Sequence, residues 1–397
     1  MARWITQTAL RTLRNLEVWV VNPFSYGGIV GNGAFCNRTR ELADLTDMMK
    51  SAGRSFVYAE RRMGKTSLIL RALAKLPKKQ FVTVYVDLWP TDGSAAFSQA
   101  TAKAVSVAAE STSKRLLELG KSLFGRLRPS VSLDDAGQPK IDFGIDGRAV
   151  SRADLVEVLD APQKLADKTG KTVVMVFDEF QQILDYEDDT TEKQIRSSIQ
   201  HHKNVAYVFL GSRKHLLQSM FLDEARPLYR SAMHYPIGPI ETKHWQPFVA
   251  KRFQHADKQI DRQTIASLCK RTGGHPFYTQ HLCHVLWSMT ETGEEANEAD
   301  LDTAVAELLR RESHAYVNLW EAMTKNEQRF LRGLAECEEP PKPFSSDFTR
   351  RFGLRSASNA QRAAESLEAG DIIEREEASF VIVDRFFRLW IQRLFAN

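Results

Sequence analysis

The sequence predicts an α/β fold: a parallel five-stranded core sheet with helices on both faces, followed by a helical segment and a small helix-and-hairpin domain. Three observations predict it. Through the first 240 residues, apolar runs of strand length alternate with segments of helical period, and strands separated by helices pair in parallel under two helical layers. After Pro239 the strand signals stop. From about Trp320 a helix, a proline-rich link (Pro340, Pro341, Pro343), two short helices and two short alternating runs follow one another.

The expected strands are Ser55–Tyr58, Phe81–Leu88, Thr172–Phe177, Val205–Leu210 and Met233–Ile237. Helical periodicity covers Thr66–Leu76, about Ala95–Leu119, about Arg152–Lys168 and Glu192–His201. Between Pro129 and Ile145, Val131/Leu133 and Ile141/Phe143/Ile145 alternate around Asp134-Asp135-Ala136-Gly137, which reads as an inserted β-hairpin by period and turn chemistry. From about 242 to 318 helices are broken at Thr272-Gly273-Gly274-His275-Pro276, where Gly-Gly ends one helix and proline suits the first turn of the next. The expected boundaries are an N-terminal segment 1–20, a core 21–240 with its insertion at about 129–146, a helical segment 241–319, and a winged-helix-like domain 320–397.

At 397 residues the chain is long enough for more than one domain, and 43% hydrophobic with 26% charged residues excludes wholesale disorder. Its 54 basic and 50 acidic residues leave a net charge of +4, too small for a broadly nucleic-acid-binding protein. Four scattered cysteines without Cys-x-x-Cys or Cys/His spacing exclude a disulfide framework and a zinc site and suit a reducing compartment. No apolar run approaches the roughly 18 residues of a membrane span. The first fifteen residues hold Arg3, Arg11 and Arg14 without an acid and are expected to form a short amphipathic helix on the body of a cytoplasmic protein.

The strongest chemical signal is Ala59-Glu60-Arg61-Arg62-Met63-Gly64-Lys65-Thr66-Ser67. It follows an apolar strand and opens a helix, the context of a phosphate-binding P-loop. Backbone N–H groups there face phosphates, Lys65 can reach the β and γ oxygens, and the Thr66 hydroxyl can hold Mg²⁺. Ala59 replaces the first glycine of the usual pattern. Downstream, the apolar strand Val173–Phe177 ends in Asp178-Glu179. Asp178 can hold Mg²⁺ through water, and Glu179 can orient and polarise an attacking water. Ser212, after the strand Val205–Leu210, is expected beside the P-loop as a γ-phosphate or water sensor, or as a helix N-cap. Arg213 and Arg230 each have two readings, as transition-state cations or as surface residues.

Together these stretches resemble the archaeal-type ATPase family of the STAND/AAA+ P-loop superfamily, from about Asn22 to the C-terminus. Asn22-Pro23-Phe24, Val30 and Phe35-Cys36-Asn37-Arg38-Thr39-Arg40-Glu41-Leu42 are similar to its leading segment. The P-loop, Asp178-Glu179, Gly211-Ser212, Pro227-Leu228-Tyr229-Arg230 and Thr272-Gly273-Gly274-His275-Pro276-Phe277-Tyr278 complete the likeness. The resemblance implies that Val30 and Phe35 touch adenine, that Arg38 and Glu41 fix the leading segment to the body, and that His275 and Pro276 bring the helical lid over the nucleotide. A buried structural His275 is the alternative. The family's lid arginine has no obvious counterpart; Arg271 is the nearest.

Around Ser356–Ala363, Arg355, Asn359, Gln361 and Arg362 are the residue types that read bases or hold phosphates. Yet from Glu321 onward 12 lysines and arginines face 13 acids, which gives little counterion-release affinity. Protein docking is as well supported as DNA binding. The leading expectation is an ATP- and Mg²⁺-dependent ATPase acting as a conformational switch, free of membranes and able to form homo-oligomers. The alternatives are a DNA-associated regulator and a non-catalytic, nucleotide-bound adaptor.

Overall fold

The computed structural model describes residues 21–28, 35–109, 118, 120, 122–133, 139–144, 151–337, 341–376 and 379–396. The sheet-bearing part runs through β1 (Arg54–Tyr58), β2 (Phe81–Asp87), a hairpin of β3 (Arg128–Leu133) and β4 (Pro139–Gly144), then β5 (Thr172–Asp178), β6 (Val205–Gly211) and β7 (Met233–Pro236). Five of these form one sheet in the order β2-β5-β6-β1-β7, and every pairing in it is parallel. All five expected strands form, each within a residue or two of its expected bounds.

Alternation along the central strands builds two cores. Phe56 of β1, Val173, Met175 and Phe177 of β5, and Tyr207 and Phe209 of β6 face one side. Helices α3 (Ser94–Ala109), α4 (Arg152–Thr169), α5 (Thr190–Ile199) and α6 (Lys214–Leu222) cover that side. Val57, Val174, Val176, Val208 and Leu210 face the other, under α1 (Thr39–Lys50) and α2 (Lys65–Ala74). Burial on both faces is why these strands read as continuous apolar runs. The expected helix to Leu119 is seen as far as Ala109, and its continuation enters residues outside the description. The hairpin arms pair Val131 with Ile141; its turn at 134–138, Ile145 and the segment 1–20 also lie outside.

Beyond the sheet come α7 (Thr242–Gln254), α8 (Arg262–Thr272), α9 (Pro276–Met289) and α10 (Glu298–Glu321). Two short strands, β8 (Gln259–Ile260) and β9 (Glu295–Ala296), pair in parallel there, against the expectation that strands cease after Pro239. Two-residue pairings are too short to print a period on the sequence. The C-terminal module comprises α11 (Lys325–Glu336), α12 (Ser346–Arg351), α13 (Ala357–Ala369), an antiparallel hairpin of β10 (Ile373–Glu376) and β11 (Ser379–Ile382), and α14 (Arg385–Leu394). Thr324 and Glu327 form a capping box on α11, satisfying two otherwise orphaned N–H groups. One apolar cluster runs from Trp245 through Tyr316 to Phe387 and Ile391, so the helical segment and the winged module share a single core. Among the described residues no helix is long and apolar enough to cross a membrane.

Candidate functional site

The site forms where the parallel strands end. Opposite Tyr58 at the end of β1 lies Gly211 of β6, and Asp87 of β2 lies opposite Asp178 of β5. Strand order therefore gathers the loops after β1, β5 and β6 at one edge of the sheet, the edge where ligands gather in open α/β folds.

The loop after β1 is anchored from below by Ala59 and Met63, both buried in the core under α1 and α2. Ala59 does not adopt a positive φ, so alanine stands at the first-glycine position without backbone strain. Gly64 does, at φ 85°, as N-cap of α2, where a side chain would be strained. Arg62 also lies in the left-handed region, at φ 60°. The Lys65 ammonium is buried and donates to the carbonyls of Ala59 and Glu60, at 3.1 Å each. Burial pushes its pKa down, against the pull of Glu179 and Asp178.

Asp178 accepts from the Thr66 hydroxyl at 3.0 Å, from the Tyr85 hydroxyl, and from the backbone N–H of Glu179 at 2.9 Å. Two hard oxygen donors, Thr66 Oγ1 and Asp178 Oδ2, thus meet at a helix N-terminus. No cluster of three or more acidic, histidine or cysteine side chains suited to a metal occurs among the described residues. This sparse, all-oxygen pair fits Mg²⁺, which keeps several waters and takes other ligands from phosphates. Glu179 sits at φ 50°, ψ 45°, an unfavourable conformation for a non-glycine residue that tends to cluster at functional sites. Its Oε2 accepts from Ser212 Oγ at 2.9 Å and from Gln181 Nε2 at 2.5 Å. Gln181 is wedged there: a Cβ on Gly211 would lie 2.2 Å from Gln181 Oε1.

Sequence reasoning missed Gln181 and Tyr85. Gln181 lies two residues past Glu179, so a polar side chain that close to the strand-end acids was an available signal. Tyr85 enters only through the pairing of β2 with β5.

The lid closes over the loop through His275. Its Nε2 donates to the carbonyl of Arg61 at 3.1 Å, and burial, reinforced by Arg385, pushes its pKa down to about 3. His275 is therefore neutral, and its 3.9 Å approach to Glu60 is not an ion pair. It serves as a structural staple between lid and loop. Because the unfolded histidine titrates near 6.5, its contribution to stability is present above that pH. It is lost at about 1.4 kcal/mol per unit as pH falls toward the folded value. Melting temperature measured from pH 7 to pH 4 is expected to fall more steeply for the wild type than for His275→Asn, which lacks this titration. Gly274 permits the close approach, since a Cβ there would meet the Ile240 carbonyl at 2.3 Å and its φ is +66°.

Pro276 opens α9, and Phe277 lies under the Arg62 guanidinium at 4.3 Å. The leading segment is tied to the same helix: Asn22 donates to the His284 carbonyl at 2.9 Å, and His284 Nδ1 donates to the Phe24 carbonyl at 3.0 Å. Arg38 pairs with Glu41 at 2.7 Å and donates to the Gly238 carbonyl, fixing the segment to the body. Tyr26 stacks on His281 with ring centres 3.8 Å apart. Between loop, lid and leading segment lies a cleft of about 510 Å³. Of the expected site residues it brings together Arg61, Arg62, Gly64, Lys65, Thr66, Ser67, Glu179, Ser212 and Pro276.

Phe35 and Arg230 are placed away from the cleft. Phe35 does not line the cleft but packs beneath the Arg71 guanidinium of α2, 4.6 Å from its ring centre. Val30 lies outside the described residues, and Tyr26 supplies the aromatic wall instead. Arg230 lies beside Ala52, Gly53 and Arg54 at the starting edge of the sheet, the far end of β1 from the P-loop, so it does not reach this chain's own cleft. Arg271, the nearest candidate for a lid arginine, is held by Glu298 and Asp302 at 2.6 Å each.

The C-terminal module reaches the loop directly. Asp371 pairs with Arg61 at 3.1 Å and Arg213 at 3.3 Å, and Arg385 forms two 2.9 Å bonds to Glu60.

A strand–loop–helix with buried lysine, two acids at a strand end and a polar residue just past the intervening strand is the arrangement of a P-loop ATPase. Residues 35–282 match the family model described as an ATPase domain predominantly from Archaea. The chain belongs to that archaeal-type ATPase family. A second model, a probable winged helix domain, matches residues 314–393; its first residues fall inside α10, in keeping with the shared core. No curated protein matches. Among solved structures, the Walker-type ATPase of Pyrococcus abyssi aligns with a TM-score of 0.63 at 16% identity, covering 93% of this chain and 99% of that one. The ORC2 protein of Aeropyrum pernix, solved as ADPNP-ADP complexes, aligns at 0.49 and 13% identity over 91% and 96%. The Thermotoga maritima RuvB Holliday junction branch migration motor aligns at 0.41 and 12% identity over 91% and 96%. The first of these likenesses shows the fold of the archaeal-type ATPase through lid and winged helix.

Proposed function

We propose that this archaeal-type ATPase is a nucleotide-driven conformational switch of STAND/AAA+ kind, which hydrolyses ATP in the cleft and signals through its winged module. The observation that carries this reading is the double ion pair of Asp371 with Arg61 and Arg213. A carboxylate of the winged module occupies two guanidiniums at the phosphate loop, the groups a γ-phosphate would claim. Phosphate and Asp371 compete for the same cations, so ATP and ADP differ in how far they release the module.

In this reading Lys65 leaves the loop carbonyls for the β and γ oxygens, while the N–H groups at the start of α2 hold the phosphates. Glu179, released from Ser212 and Gln181, orients the attacking water and takes its proton. Ser212 then reports whether the γ position is filled. Thr66 and Asp178 would hold Mg²⁺, which supplies charge neutralisation on the phosphate oxygens when bound. Pro276 closes the lid over the nucleotide. Arg230, at the opposite edge, would serve a neighbouring subunit's site in a homo-oligomer. The start of α13 is the output surface, with Arg355, Gln361 and Arg362 exposed. The module's near-neutral charge supports a protein partner as well as DNA.

Asp371→Asn removes the competing charge. Calorimetric titration is expected to show ATP binding about fivefold tighter, with ADP changed less, a modest effect because both pairs are partly exposed. An unchanged ratio of ATP to ADP affinity would mean the module does not compete with the γ-phosphate.

A further inference from the structure

The phosphate end of the cleft is marked by Lys65, Thr66 and Glu179. Tyr26 of the leading segment and Phe277 and Gln280 of α9 also line the cleft. Gln280 stands out chemically. Gln280 lines the cleft, the residue is only 4% exposed, and among the described residues its Oε1 has no hydrogen-bond partner. A buried carbonyl oxygen left without a donor is costly, and such atoms are rare in folded proteins. Beside it, Tyr26 is stacked on His281 and stands edge-on to Phe277, 6.1 Å between ring centres. An aromatic wall with one buried amide is the equipment of a site for a flat heterocycle that carries hydrogen-bonding groups on its rim.

We propose that Gln280 is the base-reading residue of this cleft, accepting through Oε1 from the exocyclic 6-amino group of adenine. The inference rests on the reading that phosphates bind at the P-loop, which fixes the direction of the nucleotide. An amide presents an acceptor and a donor side by side, matching adenine's amine and the adjacent ring nitrogen. A 6-oxo purine reverses the order, with an oxygen in place of the amine and an N–H in place of the bare ring nitrogen, so an amide oriented for adenine meets acceptor with acceptor and donor with donor. Selectivity therefore arises at Gln280, while Tyr26 contributes stacking that every base receives alike.

The test is calorimetric titration of the full-length protein with ATP and with inosine triphosphate, which carries the 6-oxo group. The wild type is expected to bind ATP about 10- to 100-fold more tightly than inosine triphosphate, the range for one buried hydrogen bond. Gln280→Leu is expected to bring the two within about threefold, chiefly by weakening ATP. Gln280→Glu loses the donor that faces the ring nitrogen and is expected to lower the preference as well. Equal affinities in the wild type would overturn the assignment while leaving the P-loop reading intact. So would a Gln280→Leu protein that weakens both triphosphates alike and keeps their ratio. If neither triphosphate binds the wild type, the P-loop reading falls and the assignment falls with it.

Discussion

Lys65→Ala is expected to remove most ATP-dependent thermal stabilisation while changing the melting temperature of the free protein little. In the free protein the Lys65 ammonium is buried on two loop carbonyls, and burial already disfavours its charge. Removing it therefore takes away a charge that the fold does not favour. With nucleotide the balance reverses, because the ammonium's bonds to phosphate are charge-assisted. Losing them costs about 1.5–3 kcal/mol each, so affinity is expected to fall about 100-fold. At ATP near 100 times its dissociation constant the wild type gains about 2.7 kcal/mol of stability. Scanning fluorimetry should read that as a rise of several degrees, against about 0.4 kcal/mol and a degree or so in the variant. An equal rise in Lys65→Ala would remove the P-loop from the nucleotide site.

Glu179→Gln should separate binding from turnover. The amide keeps a carbonyl oxygen for the Ser212 and Gln181 donors that now meet Glu179 Oε2, and it keeps nearly the same volume, so the local fold should survive. What it lacks is the ability to take a proton from water. Positioned general bases contribute about 10²- to 10⁴-fold, and phosphate release is expected to drop by that factor while ATP affinity stays within about threefold. Turnover equal to wild type would move the base to another residue.

The two variants probe links of different legibility. Lys65, Thr66, Asp178 and Glu179 could be named from the chain because each follows an apolar strand within a few residues, and strand ends in a parallel sheet share one edge. Ser212 could be placed beside the P-loop for the same reason, and the order β2-β5-β6-β1-β7 sets β6 between β5 and β1. His275 emerged as a staple rather than a ligand, since its burial is a property of the closed lid. Phe35 was expected over the base from its place in a motif. Its ring instead packs against Arg71 of α2, and Tyr26, nine residues earlier, lines the cleft.

Periodicity and contiguous chemistry are local properties of a chain. Alternating apolar residues, capping residues and the nine residues from Ala59 to Ser67 specify the strands, helices and phosphate loop with almost no reference to distant residues. The contacts that tie the winged module to that loop are of another kind. Glu60 meets Arg385 across 325 positions and Arg61 meets Asp371 across 310. Nothing local marks such pairs: with 54 basic and 50 acidic side chains, like residues offer thousands of alternative pairings of similar intrinsic strength. The shared core from Trp245 to Ile391 chooses among them, because burying that apolar surface sets the module's position first and leaves only a few charges within reach of the loop.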